Sequence, residues 1–175
     1  MPEKHYRLHL DLGRGAYGDA LQAASQVIAI SHAAADDLKR YAPSAPVTVA
    51  YNGVLRSGRY AELAKQADTR WLNTSPLRFV MVGLLHPGKR YDEAVDAVQS
   101  VRAKGFDVRL SIAGGGRDKD LIAHIHRAGM QHVVELLGYV EDPFPLFSNA
   151  HALVMCSRDE AMGRVTVEAM ASGLP

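Results

Sequence analysis

LRFVMVGLLHPGKRYDEAVDAVQSVRAKGFDVRLSIAGGG, residues 77–116, changes its apolar period twice. Arg78–Val82 is a short apolar run of strand length, and Val108–Ile112 is another. Between them, Tyr91–Ala103 sets Ala94, Val95, Val98 and Val101 on one inward stripe at helical spacing. Gly83–Lys89 and Gly114–Gly116 supply the loops. Strand, helix and strand in that order imply a right-handed βαβ crossover and a parallel sheet.

The rhythm continues downstream. Asp118–Ala128 reads as a helix, Val133–Leu136 as a strand, and Asp142–Ser148 as a helical turn started by proline. Ala152–Met155 is a further strand and Val165–Ala171 a further helix. Upstream, Gln26–Ile30 is a strand, and Ser31 is placed to cap a helix over His32–Arg40. Val47–Ala50 is a second short strand, closed by the turn signal Tyr51-Asn52-Gly53. Residues 54–76 are polar, with one helix expected near Tyr60–Ala67. They read as a connector, the alternative being a surface helix within one domain. The expected division is 1–53 as part of one unit, 54–76 as connector and 77–175 as a second unit. The fold class is α/β, a parallel Rossmann-like sheet with flanking helices.

Composition narrows the function classes. Of 175 residues, 47% are hydrophobic and 22% charged, enough for a buried core. Lys and Arg number 20 against 19 Asp and Glu, a formal net charge of +1. Nothing in that balance argues for nucleic acid as a partner. The lone cysteine, Cys156, excludes an internal disulfide and fits a reducing, cytoplasmic setting. Its apolar neighbours favour an inert thiol over a nucleophile. No apolar run reaches the length of a membrane span. A peripheral membrane contact is compatible with the sequence.

In open parallel sheets the ligand lies past the carboxyl ends of the strands. Those ends are Gly83–Arg90, Gly114–Arg117, Gly138–Asp142 and Ser157–Arg164. Glycines and the helix N-termini behind them suit an anion, so a phosphorylated ligand is expected. Gly114-Gly115-Gly116 does not match a dinucleotide fingerprint, and both a plain turn and a ligand loop fit it. Lys89 and Arg90 precede a helix, where a cation opposes the dipole unless a phosphate offsets it; a solvated pair is the alternative. His124 and His126 lie two apart on a helix and face different ways, so no metal site is expected. Glu168 stands four residues after Arg164, and an ion pair there would contribute only about 0.2–0.5 kcal/mol.

The segment SRDEAMGRVTVEAMASGLP, Ser157–Pro175, sets Glu160 and Glu168 around Gly163. It resembles the E-x7-E signature of glycosyltransferase family 4 (group 1), retaining enzymes with the two-domain GT-B fold. Met81–Lys89 resembles that family's Val-Gly-Arg-Leu-x-Pro-x-Lys loop, and Ser111–Gly116 its glycine-rich turn. Leu137–Val140 resembles the loop near the nucleotide base. Val27–His32 with Tyr51–Gly53 resembles the end of the acceptor-side domain.

The resemblance implies a glycosyltransferase of hexosyltransferase type that uses a nucleotide-sugar donor, UDP- or GDP-linked, with no further cofactor. The acceptor would be a glycan, a lipid or a small molecule. Glu160 would contact the transferred sugar as the catalytic residue. Gly83, Lys89, Arg90, Gly114, Val140, Met162, Gly163, Arg164 and Glu168 would bind the donor. Within that set Lys89 would meet the diphosphate, Glu168 the ribose hydroxyls, and the backbone near 162–164 the sugar and phosphate. One departure stands out: the family's arginine five residues before the lysine is Leu84 here, leaving Arg90 or Arg164 to substitute. The resemblance also implies an incomplete GT-B C-terminal domain. Most of the acceptor side and the elements after Pro175 would be missing, leaving a chain poorly active alone. A non-catalytic nucleotide-binding module, a scaffold, and a GT-B sugar-nucleotide epimerase are the alternatives.

Overall fold

Among the described residues the strands form two parallel sheets, one of two strands and one of four. The computed structural model describes residues 14–53, 63, 70–72, 74–158, 160 and 162–175. These residues fall into two units. The first runs to Gly53 and also takes in the stretch that ends at Arg164; the second holds the remainder.

The first unit contains α1 (Arg14–Ala23), β1 (Val27–Ala29), α2 (His32–Tyr41) and β2 (Val47–Val49). β1 and β2 pair in parallel, with Val27 opposite Val47. Ser31 caps α2 as its position predicts: its Oγ accepts the Ala34 N–H at 3.1 Å. The Gln26 side-chain amide donates to the Pro46 carbonyl and to Thr48 Oγ1, each at 2.8 Å, which pins the strand register. The helix expected near Tyr60–Ala67 lies outside the described residues except for Leu63, which is helical and buried.

The second unit contains β3 (Leu77–Val82), α3 (Tyr91–Ala103), β4 (Val108–Ala113), α4 (Lys119–Arg127), β5 (Val134–Gly138), α5 (Phe144–Asn149), β6 (Ala152–Leu153) and, from Val165 onward, α6 (Arg164–Ala171). All strand pairs are parallel, in the spatial order β5-β4-β3-β6. The chain first steps outward from β3 to β4 and β5, then returns to the other side of β3. Right-handed crossovers in opposite directions place their helices on opposite faces. The core divides accordingly. Leu110, Ile112, Tyr91, Val95, Leu121 and Ile125 pack on one face, and Val80, Phe144, Phe147, Ala169 and Leu174 on the other. β3 feeds both layers, because neighbouring side chains Val80 and Met81 point to opposite sides.

Two expectations need correction. Val101 does not belong to the buried stripe of α3; it is 36% exposed, and Tyr91 takes a place in the stripe instead. The last turn of α3 is held by polar bonds, with Arg102 Nη1 donating to Asp107 Oδ1 and the Val108 carbonyl, each at 3.0 Å. The strand expected over Ala152–Met155 pairs regularly only at Ala152–Leu153. Past that point one further bond, Val154 N–H to the Val80 carbonyl, continues the ladder.

His151 fastens β6 to the start of β3. It is 1% exposed, its N–H donates to the Arg78 carbonyl at 2.7 Å, and its Nδ1 accepts the Arg78 N–H at 2.9 Å. Trp71 lies against the ring at 5.4 Å. Nδ1 therefore carries no proton, and the imidazole acts as a backbone substitute. His151→Phe keeps the ring and orphans the Arg78 N–H. It should lower stability in urea unfolding by about 1–3 kcal/mol; an unchanged midpoint would remove this role.

Candidate functional site

The strand order reverses at β3, and the loops that follow β3 and β6 meet there. The Arg158 N–H, past the end of β6, donates to the Gly88 carbonyl in the loop after β3 at 3.2 Å. Such a reversal point at the carboxyl edge is where open α/β sheets bind ligands.

The loop from Gly83 to Arg90 is built by its own backbone. Leu85 N–H donates to the Gly115 carbonyl at 2.8 Å, and Gly83 N–H to the Ala113 carbonyl at 2.9 Å. His86 caps the short 3₁₀ turn Pro87–Lys89, its Nδ1 accepting the Gly88 N–H at 3.1 Å. Lys89 and Arg90 N–H groups close back on His86 and Pro87. Arg90 then takes a left-handed conformation, φ 53 and ψ 47, so that α3 can begin at Tyr91 without delay. The Tyr91 hydroxyl returns to the strand end and donates to the Gly83 carbonyl at 2.9 Å.

The glycine run after β4 answers a packing demand. A Cβ at Gly114 would stand 1.8 Å from the Gly83 carbonyl oxygen, and one at Gly116 would stand 2.7 Å from the Leu85 oxygen. The Gly114 N–H donates to the Gly138 carbonyl at 2.7 Å. The N–H groups of Gly83 and Gly114 are thus engaged within the protein. Glycine here lets two loops run against one another.

Charge at this edge is partly cancelled locally. The Arg90 guanidinium pairs with Glu93 across the first turn of α3. Lys89 and Arg90 are half-buried, and Leu84, where the resembled family has arginine, is 56% exposed. Cys156 is half-buried against the α3–α4 core. Burial pushes its thiol up, the Arg90 charge works against that, and Asp92 adds to it. The thiol is held neutral, as its apolar run suggests.

The remaining candidates separate by unit. Gly83, Lys89, Arg90, Gly114, Val140 and Glu168 lie in the unit of the four-stranded sheet; Glu160, Met162, Gly163 and Arg164 lie in the other. Glu168 is buried at 8% exposure on α6, where its carbonyl accepts from the Ser172 hydroxyl at 2.9 Å. Val140 is half-buried just past Gly138, and Tyr139 beside it is 78% exposed. Glu160 is exposed, Met162 half-buried, and Gly163 has φ 66, a left-handed turn directly before α6. Arg164 opens that helix on its exposed side. Of the two histidines on α4, His124 meets Asp96 at 2.7 Å and His126 lines a small groove with Ile122 and Val134. Sequence reasoning missed Tyr91. Its signal was an aromatic residue with a polar tip at the head of an apolar stripe, which needs a partner once buried.

The family described as glycosyl transferases group 1 matches residues 76–175, more than half of the chain. The chain belongs to that family. It is similar to a mannosylfructose-phosphate synthase of Agrobacterium fabrum, 31% identical over 54% of this chain and 23% of that protein. A GDP-mannose-dependent phosphatidylinositol dimannoside mannosyltransferase of Mycobacterium tuberculosis is 24% identical over 85% of this chain and 39% of its own length. The chain therefore spans well under half the length of these relatives. Among solved structures, WaaG, a glycosyltransferase involved in lipopolysaccharide biosynthesis, superposes with a TM-score of 0.74 at 19% identity. That match covers 98% of this chain and 48% of WaaG. Anabaena HepE in complex with UDP-glucose gives 0.72 at 22% identity, over 95% of this chain and 49% of HepE. The fold is that of the GT-B glycosyltransferases.

Two substitutions test the loop geometry. Gly114→Ala must push the Gly83 carbonyl aside and should cost about 1–3 kcal/mol in thermal or urea unfolding. Gly115→Ala, whose added carbon meets nothing nearer than Tyr139 Cβ at 3.9 Å, should be close to neutral. Equal effects at the two positions would contradict the packing. At Arg90 the usual order of helix formers should invert. Arg90→Gly should be more stable than Arg90→Ala by about 1 kcal/mol, because only glycine occupies the left-handed region freely. A more stable alanine variant would count against that conformation.

Proposed function

We propose that the chain carries the donor site of a retaining sugar transferase of the E-x7-E type, family 4. The observation that carries this reading is the reversal point itself. There the Lys89 loop is tied to the chain leaving β6 through Arg158 and Gly88, in a group 1 chain. In this reading Lys89 neutralises the leaving diphosphate, on which charge grows as the sugar departs. Glu168, an acceptor-only group when ionised, takes the ribose hydroxyls. Glu160 takes the hydroxyls of the transferred sugar, and the N–H groups of Met162, Gly163 and Arg164 hold sugar and phosphate. Val140 lies toward the base. The departing phosphate oxygen accepts the proton of the acceptor hydroxyl, which attacks from the same face, so the anomeric configuration is retained. The donor is a UDP- or GDP-linked hexose. Both bases are carried forward because one relative is named as GDP-mannose-dependent and one neighbour holds UDP-glucose. The acceptor is a glycan, a lipid or a small molecule, and the reaction is placed in the cytoplasm.

Leu84 favours a second reading. An exposed apolar side chain in place of a phosphate-binding arginine suits a module that binds nucleotide without catalysis. Titration calorimetry with UDP, GDP, UDP-glucose and GDP-mannose separates the two. The donor reading expects at least one nucleotide sugar to bind more tightly than its bare diphosphate, and Lys89→Ala to weaken that binding about 10- to 100-fold, the loss of one charge-assisted bond. It also expects the chain alone to transfer little or no sugar. No binding of any of the four, or binding indifferent to Lys89→Ala, would end it.

A further inference from the structure

The geometry points to Tyr91 as a positioning residue for Lys89, through the carbonyl of Gly83. The inference rests on the donor reading above, in which Lys89 meets the diphosphate. Tyr91 is 6% exposed, and its hydroxyl bonds the Gly83 carbonyl at 2.9 Å, with the Leu84 carbonyl at 3.5 Å. The loop that carries Lys89 is thereby closed at its base: it leaves the sheet at Gly83 and is fastened to Gly83 again by the first residue of α3.

Lys89 shares the same anchor. A carbon added at Gly83 would lie 3.2 Å from the Tyr91 hydroxyl and 3.8 Å from Lys89 Cε. The phenol oxygen and the end of the lysine stem thus both border the space a side chain at Gly83 would fill. Any shift of the Gly83–Leu84 peptide moves the surface along which the lysine lies. The phenol fixes that peptide from the protein side, and Gly114 presses on the same carbonyl from the neighbouring loop. Arg90, left-handed and directed to Glu93, joins the two functional neighbours without adding slack. A lysine ammonium has several rotatable bonds, so its affinity for an anion depends on how far its stem is held in place.

Tyr91→Phe tests this in the full chain, because it keeps the packed ring and removes only the hydroxyl. Two measurements are made. Hydrogen exchange followed by mass spectrometry should show residues 84–90 exchanging several-fold faster, with the peptides of β4 and α4 unchanged. Titration with UDP and GDP should show the bound diphosphate weakened roughly five- to tenfold, the worth of one hydrogen bond. In a Lys89→Ala background the same Tyr91→Phe change should have no further effect on affinity, as coupled residues require. Unchanged exchange of 84–90 would overturn the latch. An equal loss of affinity with and without Lys89 would overturn its action through Lys89. If the unaltered chain binds none of UDP, GDP, UDP-glucose and GDP-mannose, the donor reading falls, and with it the positioning role, while the exchange rates still decide whether the latch exists.

Discussion

The carbonyl of Gly83 is crowded and hydrogen-bonded by its neighbours at once. Gly114 approaches it so closely that no side chain fits at that position. The Tyr91 hydroxyl donates to it from α3. The stem of Lys89 lies beside the same residue. Lys89 and Tyr91, close by in the chain, and the more distant Gly114 therefore meet at one peptide plane. A half-buried carbonyl also gains from a donor, because a carbonyl shut off from water and left unpaired costs as much as a lost hydrogen bond. Tyr91 supplies that donor, and this accounts for a tyrosine where the stripe of α3 needed only an apolar residue.

The reversal of strand order gives this point its location. β3 is central because β4 lies on one side and β6 on the other, so its carboxyl end opens between two loops rather than alongside one. α3 and α4 cover one face and α5 and α6 the other. Asp92 and Glu93 stand in the first turn of α3, favourable to the helix dipole, and Glu93 takes up the charge of Arg90. The helix start is thus electrostatically settled by the protein's own side chains.

Much of this was legible in the sequence, and the failures have a common cause. The α3 boundaries, Tyr91–Ala103, follow from period and turn residues alone, and so does the Ser31 cap. These features are local: a hydroxyl reaches an amide a few residues away, and a stripe needs only its own spacing. What the sequence did not disclose depends on distance between segments. Gly114 read equally as a turn or a ligand loop, because nothing local records that Gly83 lies against it. Val101 has the right spacing for the stripe, yet Arg102 and Asp107 hold that turn instead. Arg90 read as a second cation, since a pattern of charges does not say which carboxylate a guanidinium turns toward. Of the candidate site, the loops were located by their place after the strands. The bonds that make them rigid were not.

That rigidity bears on the loss of the arginine at Leu84. Nearly every backbone group named in the loop is already bonded within the protein: Gly83, Leu85, Gly88, Lys89 and Arg90 each have a partner. Such a loop has little ordering entropy left to lose when a ligand arrives. A flexible loop with two cations gains more attraction but must be ordered on binding. A fixed loop with one cation gains less and sacrifices less. If Lys89 meets a diphosphate as proposed, the two arrangements lie closer in affinity than a count of cations suggests. They differ in kind, because in the fixed loop the affinity depends on where Lys89 is held, and so on the neighbours of Gly83 that hold it.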